Sequence, residues 1–374
     1  MRRIPKVYDR DVDLKNGIRL LRIEPGGGPL CMTFQYASLD DPPDYEAISY
    51  SWGTRPHMES VRVDAKADFR LSRHLHAATL RLRRPHRKRL IWIDQISVNQ
   101  ADVTERSGAV QLMRKIYANA PRVIVWIGET KSDTPTCRRL YADNSYDESQ
   151  LPGIAALEHD DAARKLGNVL QALEQQSLTN RGDVWWKRLW VIQEFDSAKF
   201  LPTVYIGPHA ISWTIFAQLM RTDSHDRLPM FHHIRLQDDQ SLLQLLSMAQ
   251  DFHSGDPRGR IYALLGLVKG GQHCIEPDDS KSVSQLYEGA TLYLTQTSTT
   301  WTSSWMVDWN EITAKTATTG LLRYRRRLHR FGACYARDRR RGHRAVWRQS
   351  AVRRSEPWGP SCVDWRCGRA GYHV

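Results

Sequence analysis

Between residues 89 and 128 apolar runs alternate with a helical stripe, and this stretch carries the clearest local signal. "RLIWIDQI" (89–96) is an apolar run of strand length. Asp102 and Glu105 follow at the spacing of a capping box. Beyond them Ala109, Leu112, Met113, Ile116, Tyr117 and Ala120 share one helical face. After Pro121, "RVIVWIG" (122–128) is rich in β-branched residues and closes on a glycine. Strand, capped helix and strand in close succession predict a βαβ unit, and with it a parallel sheet.

The same patterning predicts strands at "GIRLLRI" (17–23), "YEAISYSW" (45–52) and "LPTVYIG" (201–207). "SVRVDAKADFRLS" (60–72) alternates as an exposed hairpin or sheet edge would. Helices are expected over 75–84, 161–176, 212–222 (N-capped by Ser212), 241–252, 260–267 and 281–297. Residues 129–160 are polar, acidic and irregular, as an insertion would be, and the chain has no internal repeat. The expected fold class is α/β: a parallel-sheet core with helical additions.

Composition changes the picture at one place. The chain of 374 residues has a net charge of +13, a value that suggests a nucleic-acid partner until it is divided along the sequence. Residues 311–374 hold 16 Lys+Arg against four acidic residues, which leaves the body, residues 1–310, at +1. Leu, Ile, Val and Phe fall to 9 of 64 in that tail, the composition of a disordered segment. Yet it also carries Trp347, Trp358, Trp365 and three cysteines. Two readings stay open: an arginine-rich tail that binds nucleic acid or acidic surfaces, or a gene-model artefact such as a translated intron. No run reaches the length of a membrane span, the N-terminus lacks an apolar signal core, and the six cysteines show no paired spacing. A cytoplasmic chain with reduced thiols and no membrane partner is the expectation.

Familiar catalytic signatures are absent: there is no phosphate loop, no nucleophile elbow and no zinc helix. His232 and His233 are adjacent and would point apart, and Cys362, Cys367 and His373 fit zinc spacing poorly. No metal is expected. Polar residues instead collect at the carboxyl ends of predicted strands, where parallel α/β sheets bind ligands. Ser51 and Trp52 end one strand; Asp94, Gln95 and Asn99 end another. The plainer alternative is that Asp94 and Asn99 cap turns and the tryptophans are core. In "RLWVIQEF" (188–195), Trp190 and Glu194 lie one helical turn apart, with Gln193 on the more exposed side.

Three blocks carry a family resemblance. "YEAISYSWGT", "IWIDQISVNQADVTERSGAVQLMRKIYANAPRVIVWIG" and "RLWVIQEF" with "YIGPHAISW" resemble, in order, the three motifs of the fungal heterokaryon-incompatibility (HET) domain. "DPRGRIYALLGL" and "TSSWMVDWN" resemble features that commonly follow it. Ser97 stands where the family has cysteine, which argues against essential thiol chemistry, and Gly259 where an acidic residue is usual. The resemblance implies a HET domain at 17–215, a helical extension at 216–310, and a tail that matches nothing. It implies self/non-self recognition and cell-death signalling in a filamentous fungus, through protein partners or self-association. The family's remote similarity to TIR domains implies a TIR-like (flavodoxin-like) core, and makes Glu194 the candidate catalytic residue of a NAD glycohydrolase. Ser51, Trp52, Asp94, Asn99 and Trp190 are then the pocket candidates. No cofactor is required, and NAD is the candidate substrate.

Overall fold

A computed structural model describes residue 8 and residues 15–52, 58–64, 67–129, 185–207, 209–222, 225–226, 231, 240–268, 275–297, 346–350 and 364–368. The predicted insertion at 129–160 lies almost wholly outside them, as does the predicted helix at 161–176. Contacts divide the chain into two units, residues 1–297 and 298–374.

The larger unit is built on one nine-stranded sheet. In chain order its strands are β1 (Gly17–Ile23), β2 (Cys31–Ser38), β3 (Glu46–Tyr50), β4 (Met58–Val63), β5 (Ala67–Ser72), β6 (Arg89–Trp92), β7 (Arg122–Gly128), β8 (Thr203–Ile206) and β9 (His209–Ser212). Their spatial order is β5-β4-β2-β1-β6-β3-β7-β8-β9. The sheet is mixed: β6, β3, β7 and β8 are mutually parallel, while β1 with β2 and with β6, β4 with β5, and β8 with β9 pair antiparallel. Counted along the chain, the four parallel strands stand in the order 2-1-3-4. The parallel expectation therefore holds at the centre; on the flanks only β2 with β4 is parallel, while short connections close β1–β2, β4–β5 and β8–β9 as antiparallel pairs that need no crossover.

Helices cover both faces of that centre. Helix α1 (Arg73–Leu82) starts on Ser72, whose hydroxyl accepts from the Leu75 amide, and puts Leu75, Ala78 and Leu82 into one core with Ile48, Tyr50, Ile91, Ile124 and Trp126. A short α2 (Asp94–Ser97) precedes α3 (Val103–Asn119), whose Met113, Ile116 and Tyr117 form the second core with Ala47, Trp92 and Val123. Ala47 and Ile48 thus enter opposite cores, as neighbours on a strand must. The Asp102 carboxylate caps α3 by accepting from the Thr104 and Glu105 amides. The capping box is only half made. Glu105 turns away to accept from the Asn99 amide and from Arg19, a buried arginine on β1. The Ser97 hydroxyl takes a structural part in the same turn, accepting from the Ile93 amide.

After β7 a 3-10 turn (Trp185–Lys187) leads into α4 (Trp190–Asp196). Ser212 caps α5 (Trp213–Met220) as the sequence predicts, although β9, which ends on that serine, and β2 had gone unread. The strands β10 (Arg221–Thr222) and β11 (His225–Asp226) form a two-residue pair. Helices α6 (Leu242–Met248), α7 (Gly259–Leu265) and α8 (Val283–Thr297) match three predicted helices to within a few residues. Gly259 does not prevent α7: a side chain there would collide with Ser254 Oγ and come within 3.2 Å of Trp190 Nε1. In the smaller unit, β12 (Val346–Ser350) pairs antiparallel with β13 (Asp364–Gly368). The rest of the predicted tail lies outside the described residues.

Candidate functional site

Strand β3 delivers the central group. Its alternation sends Ala47 and Ser49 to the α3 face and Ile48 and Tyr50 to the α1 face. A buried serine needs a polar partner, and Ser49 has two. Trp185 Nε1 donates to its hydroxyl over 2.7 Å, and the hydroxyl donates to Oε2 of Glu194. Glu194 reaches it from α4 and is only 2% exposed.

Every residue of α4 from Val191 to Phe195 is buried, so Gln193 is not on an exposed side. Helix α7 covers it: a side chain at Gly266 would collide with the Gln193 amide. The stretch looks amphipathic in sequence because the helix is seven residues long and enclosed on all sides. The chain before α4 is pinned to the segment before α7, with Leu189 N donating to His253 O over 2.9 Å.

Burial drives the electrostatics of this corner. It raises the Glu194 pKa to about 7, offset in part by Arg188 and by the Ser49 hydrogen bond and reinforced by the charge of Asp94. Asp94, half-buried just past β6, is raised for the same reason and is held down by Arg188 and by its hydrogen bonds. Its Oδ2 accepts from Trp52 Nε1 and its Oδ1 from the Gln95 amide, each over 2.7 Å. The Arg188 guanidinium caps the end of β3 by donating to Tyr50 O, and its charge reaches both carboxylates. Burial pushes the Tyr50 and Tyr117 hydroxyls well above their ordinary range, and lowers His74, on α1, to about 4.

The residues singled out in sequence fall into two groups. Asp94 and Trp52 join Glu194 in one polar corner at the carboxyl ends of β3 and β6. Ser51, buried, lies beside them in sequence. Asn99 sits in the turn before α3, where its side-chain oxygen accepts from the Ala101 amide. Trp190 is half-buried and packs against the α3-face core and Gly259; Glu194, one turn on, points instead to Ser49. Sequence reasoning missed Ser49, Trp185, Arg188 and His74. The lone serine inside "EAISY" was the available signal for the first.

A cavity of about 470 Å3, lined in part by Pro42, Lys115, Pro121 and Phe200, lies at the opposite, amino end of the parallel strands. Among the described residues no group of three His, Cys, Asp or Glu could hold a metal ion, and no helix is long and apolar enough to cross a membrane.

Comparison with known proteins adds the family. Residues 45–194 match the family described as "Heterokaryon incompatibility protein (HET)". Over 218 residues the chain is 33% identical to "Heterokaryon incompatibility protein 6, OR allele" of Neurospora crassa, a match covering 49% of this chain and 32% of that relative. The chain thus spans about a third of that relative's length. No solved structure matches.

Proposed function

Residues 45–194 are a heterokaryon-incompatibility domain, and from that premise we propose that the chain serves self/non-self recognition in a filamentous fungus, with cell death as its output. The observation that carries this reading is the buried Ser49–Glu194 pair. The first strand and the last residue of the matched region meet in it, through a hydrogen bond between a buried serine and a buried carboxyl group. Death would follow from partner binding or self-association in the cytoplasm, communicated through this corner. The test is induced expression of the full chain in a filamentous fungus, with hyphal viability as the readout. Wild type kills; Glu194→Gln at the same level does not.

A second reading, NAD glycohydrolase, is favoured by the state of Glu194 itself. A carboxyl group poised near neutral pH in a site sheltered from water can exchange a proton and can oppose developing positive charge. The bond from ribose C1′ to nicotinamide breaks with its electron pair leaving on the base. Water adds at C1′, and its proton passes to the Glu194 carboxylate. The order 2-1-3-4 of the parallel strands supports a TIR-like core, because it begins the flavodoxin-like order 2-1-3-4-5, whose ligands sit at the switch point beyond the strand ends. Nicotinamide release by the purified chain under self-associating conditions, abolished in Glu194→Gln, is the expected result; no release would end this reading.

A further inference from the structure

The polar corner also contains an aromatic group placed unlike its neighbours. Trp92, Trp126, Trp185, Trp186 and Trp213 are all at most 5% exposed, whereas Trp52 is 39% exposed. It is nevertheless not loose, because its Nε1 is fixed by Asp94 Oδ2 over 2.7 Å. The indole is therefore held by one edge with ring surface open to solvent. A ring restrained in this way loses little further freedom when a flat ligand stacks on it.

Asp94 supplies the second feature. It lies just past β6, the strand that pairs parallel with β3, beyond whose end Trp52 lies. Its oxygens already accept from Trp52, from the Gln95 amide and from the Tyr50 hydroxyl, and the roughly four lone-pair sites of a carboxylate leave room for one more. Its main chain is fixed as well, with Gln100 Nε2 donating to Asp94 O over 2.9 Å. A carboxylate in this position can accept hydrogen bonds from the hydroxyls of a ribose.

We propose that Trp52 and Asp94 form a ribonucleoside subsite, with the planar base stacked on the Trp52 indole and the ribose hydroxyls bound by Asp94. The proposal rests on the reading that ligands bind at the carboxyl ends of β3 and β6. On the NAD glycohydrolase reading, the ribose that Asp94 holds is the one whose C1′ reacts. Stacking tolerates any planar base, and adenosine can therefore serve as the probe.

The experiment is calorimetric titration of the full chain carrying Glu194→Gln, which prevents turnover, with adenosine and 2′-deoxyadenosine. Adenosine is expected to bind roughly tenfold more tightly, the effect of one hydrogen bond to a charged group. Asp94→Asn brings that ratio close to one. Trp52→Leu weakens both ligands by roughly tenfold or more, and Trp52→Tyr restores most of the loss. Variants whose thermal unfolding matches that of the parent carry the comparison. Adenosine binding indifferent to both residues, or no binding by the folded chain, overturns the subsite. Nicotinamide release by wild type is read separately. Release without adenosine binding removes the subsite and leaves Glu194 standing; Trp52- and Asp94-dependent binding without release does the reverse.

Discussion

Ser49 and Glu194 lie 145 residues apart in the chain, and the hydroxyl of one donates to the carboxylate of the other in the protein interior. The same hydroxyl accepts from Trp185, so a single serine satisfies an indole and a carboxylate that arrive from beyond β7. Arg188 then caps the strand that carries it. The Trp185–Ser49–Glu194 chain and the Arg188 cap thus both sit on β3.

Replacing Ser49 tests that chain. Ser49→Ala leaves Trp185 Nε1 without its acceptor and Glu194 without its donor, at a cost of about 1–3 kcal/mol. Because the lost bond lowers the Glu194 pKa, the carboxyl should titrate at higher pH in the variant. Urea unfolding reads the first effect and carbon-detected NMR of labelled glutamate the second; an unmoved titration would show the pair to be incidental.

Stability should depend on pH through two buried groups of opposite sign. Folding raises Glu194 from 4.5 to about 7, so its contribution is complete below about pH 4.5 and is lost as pH rises through 7. Folding lowers His74 from 6.5 to about 4, so its contribution is present above about pH 6.5 and is lost as pH falls through 4. Each is worth roughly 3 kcal/mol, and between pH 4.5 and 6.5 they oppose one another. Unfolding free energies from pH 4 to 8 should show Glu194→Gln gaining stability with rising pH across that window, and His74→Phe losing it. Parallel profiles in the two variants would contradict the assignment.

Arg19 is 1% exposed, holds Glu105 over 2.7 Å and Ser97 O over 2.9 Å, and lies 4.4 Å from the Tyr8 ring centroid. Arg19→Ala strands the Glu105 carboxylate and should cost about 3–5 kcal/mol. Arg19→Met with Glu105→Gln should recover most of that loss, measured by chemical denaturation. Equal loss in both would mean that the charge pair is not what matters.

Gly259 stands where space is lacking. Gly259→Ala should cost roughly 1–3 kcal/mol as overpacking against Ser254 and Trp190. Removing the obstructing hydroxyl with Ser254→Ala should cut that penalty by at least half in a double-mutant cycle. Additive effects would place the strain elsewhere.

Much of the fold was legible because it rests on local periodicity. The β6–α3–β7 unit announces itself through one apolar face, an Asp102 cap and a β-branched strand. The mixed edges were less visible, since whether β1 runs parallel or antiparallel to β6 is settled by pairings far apart in sequence, and the half-polar alternation of β2 gave little signal. At the site, Asp94 and Trp52 were singled out by residue type and by position at strand ends, and Glu194 by the family resemblance. Ser49 was not, because its meaning lies in a partner on a different element. Gln193 was misread for a related reason: a seven-residue helix covered by α7 has no solvent side.

The proposed death output should require the Glu194 carboxylate. The most direct measurement is the viable fraction of hyphae after induction of wild type and Glu194→Gln at matched protein levels. Wild type should lose viability and the variant should survive. Equal killing by both would contradict it.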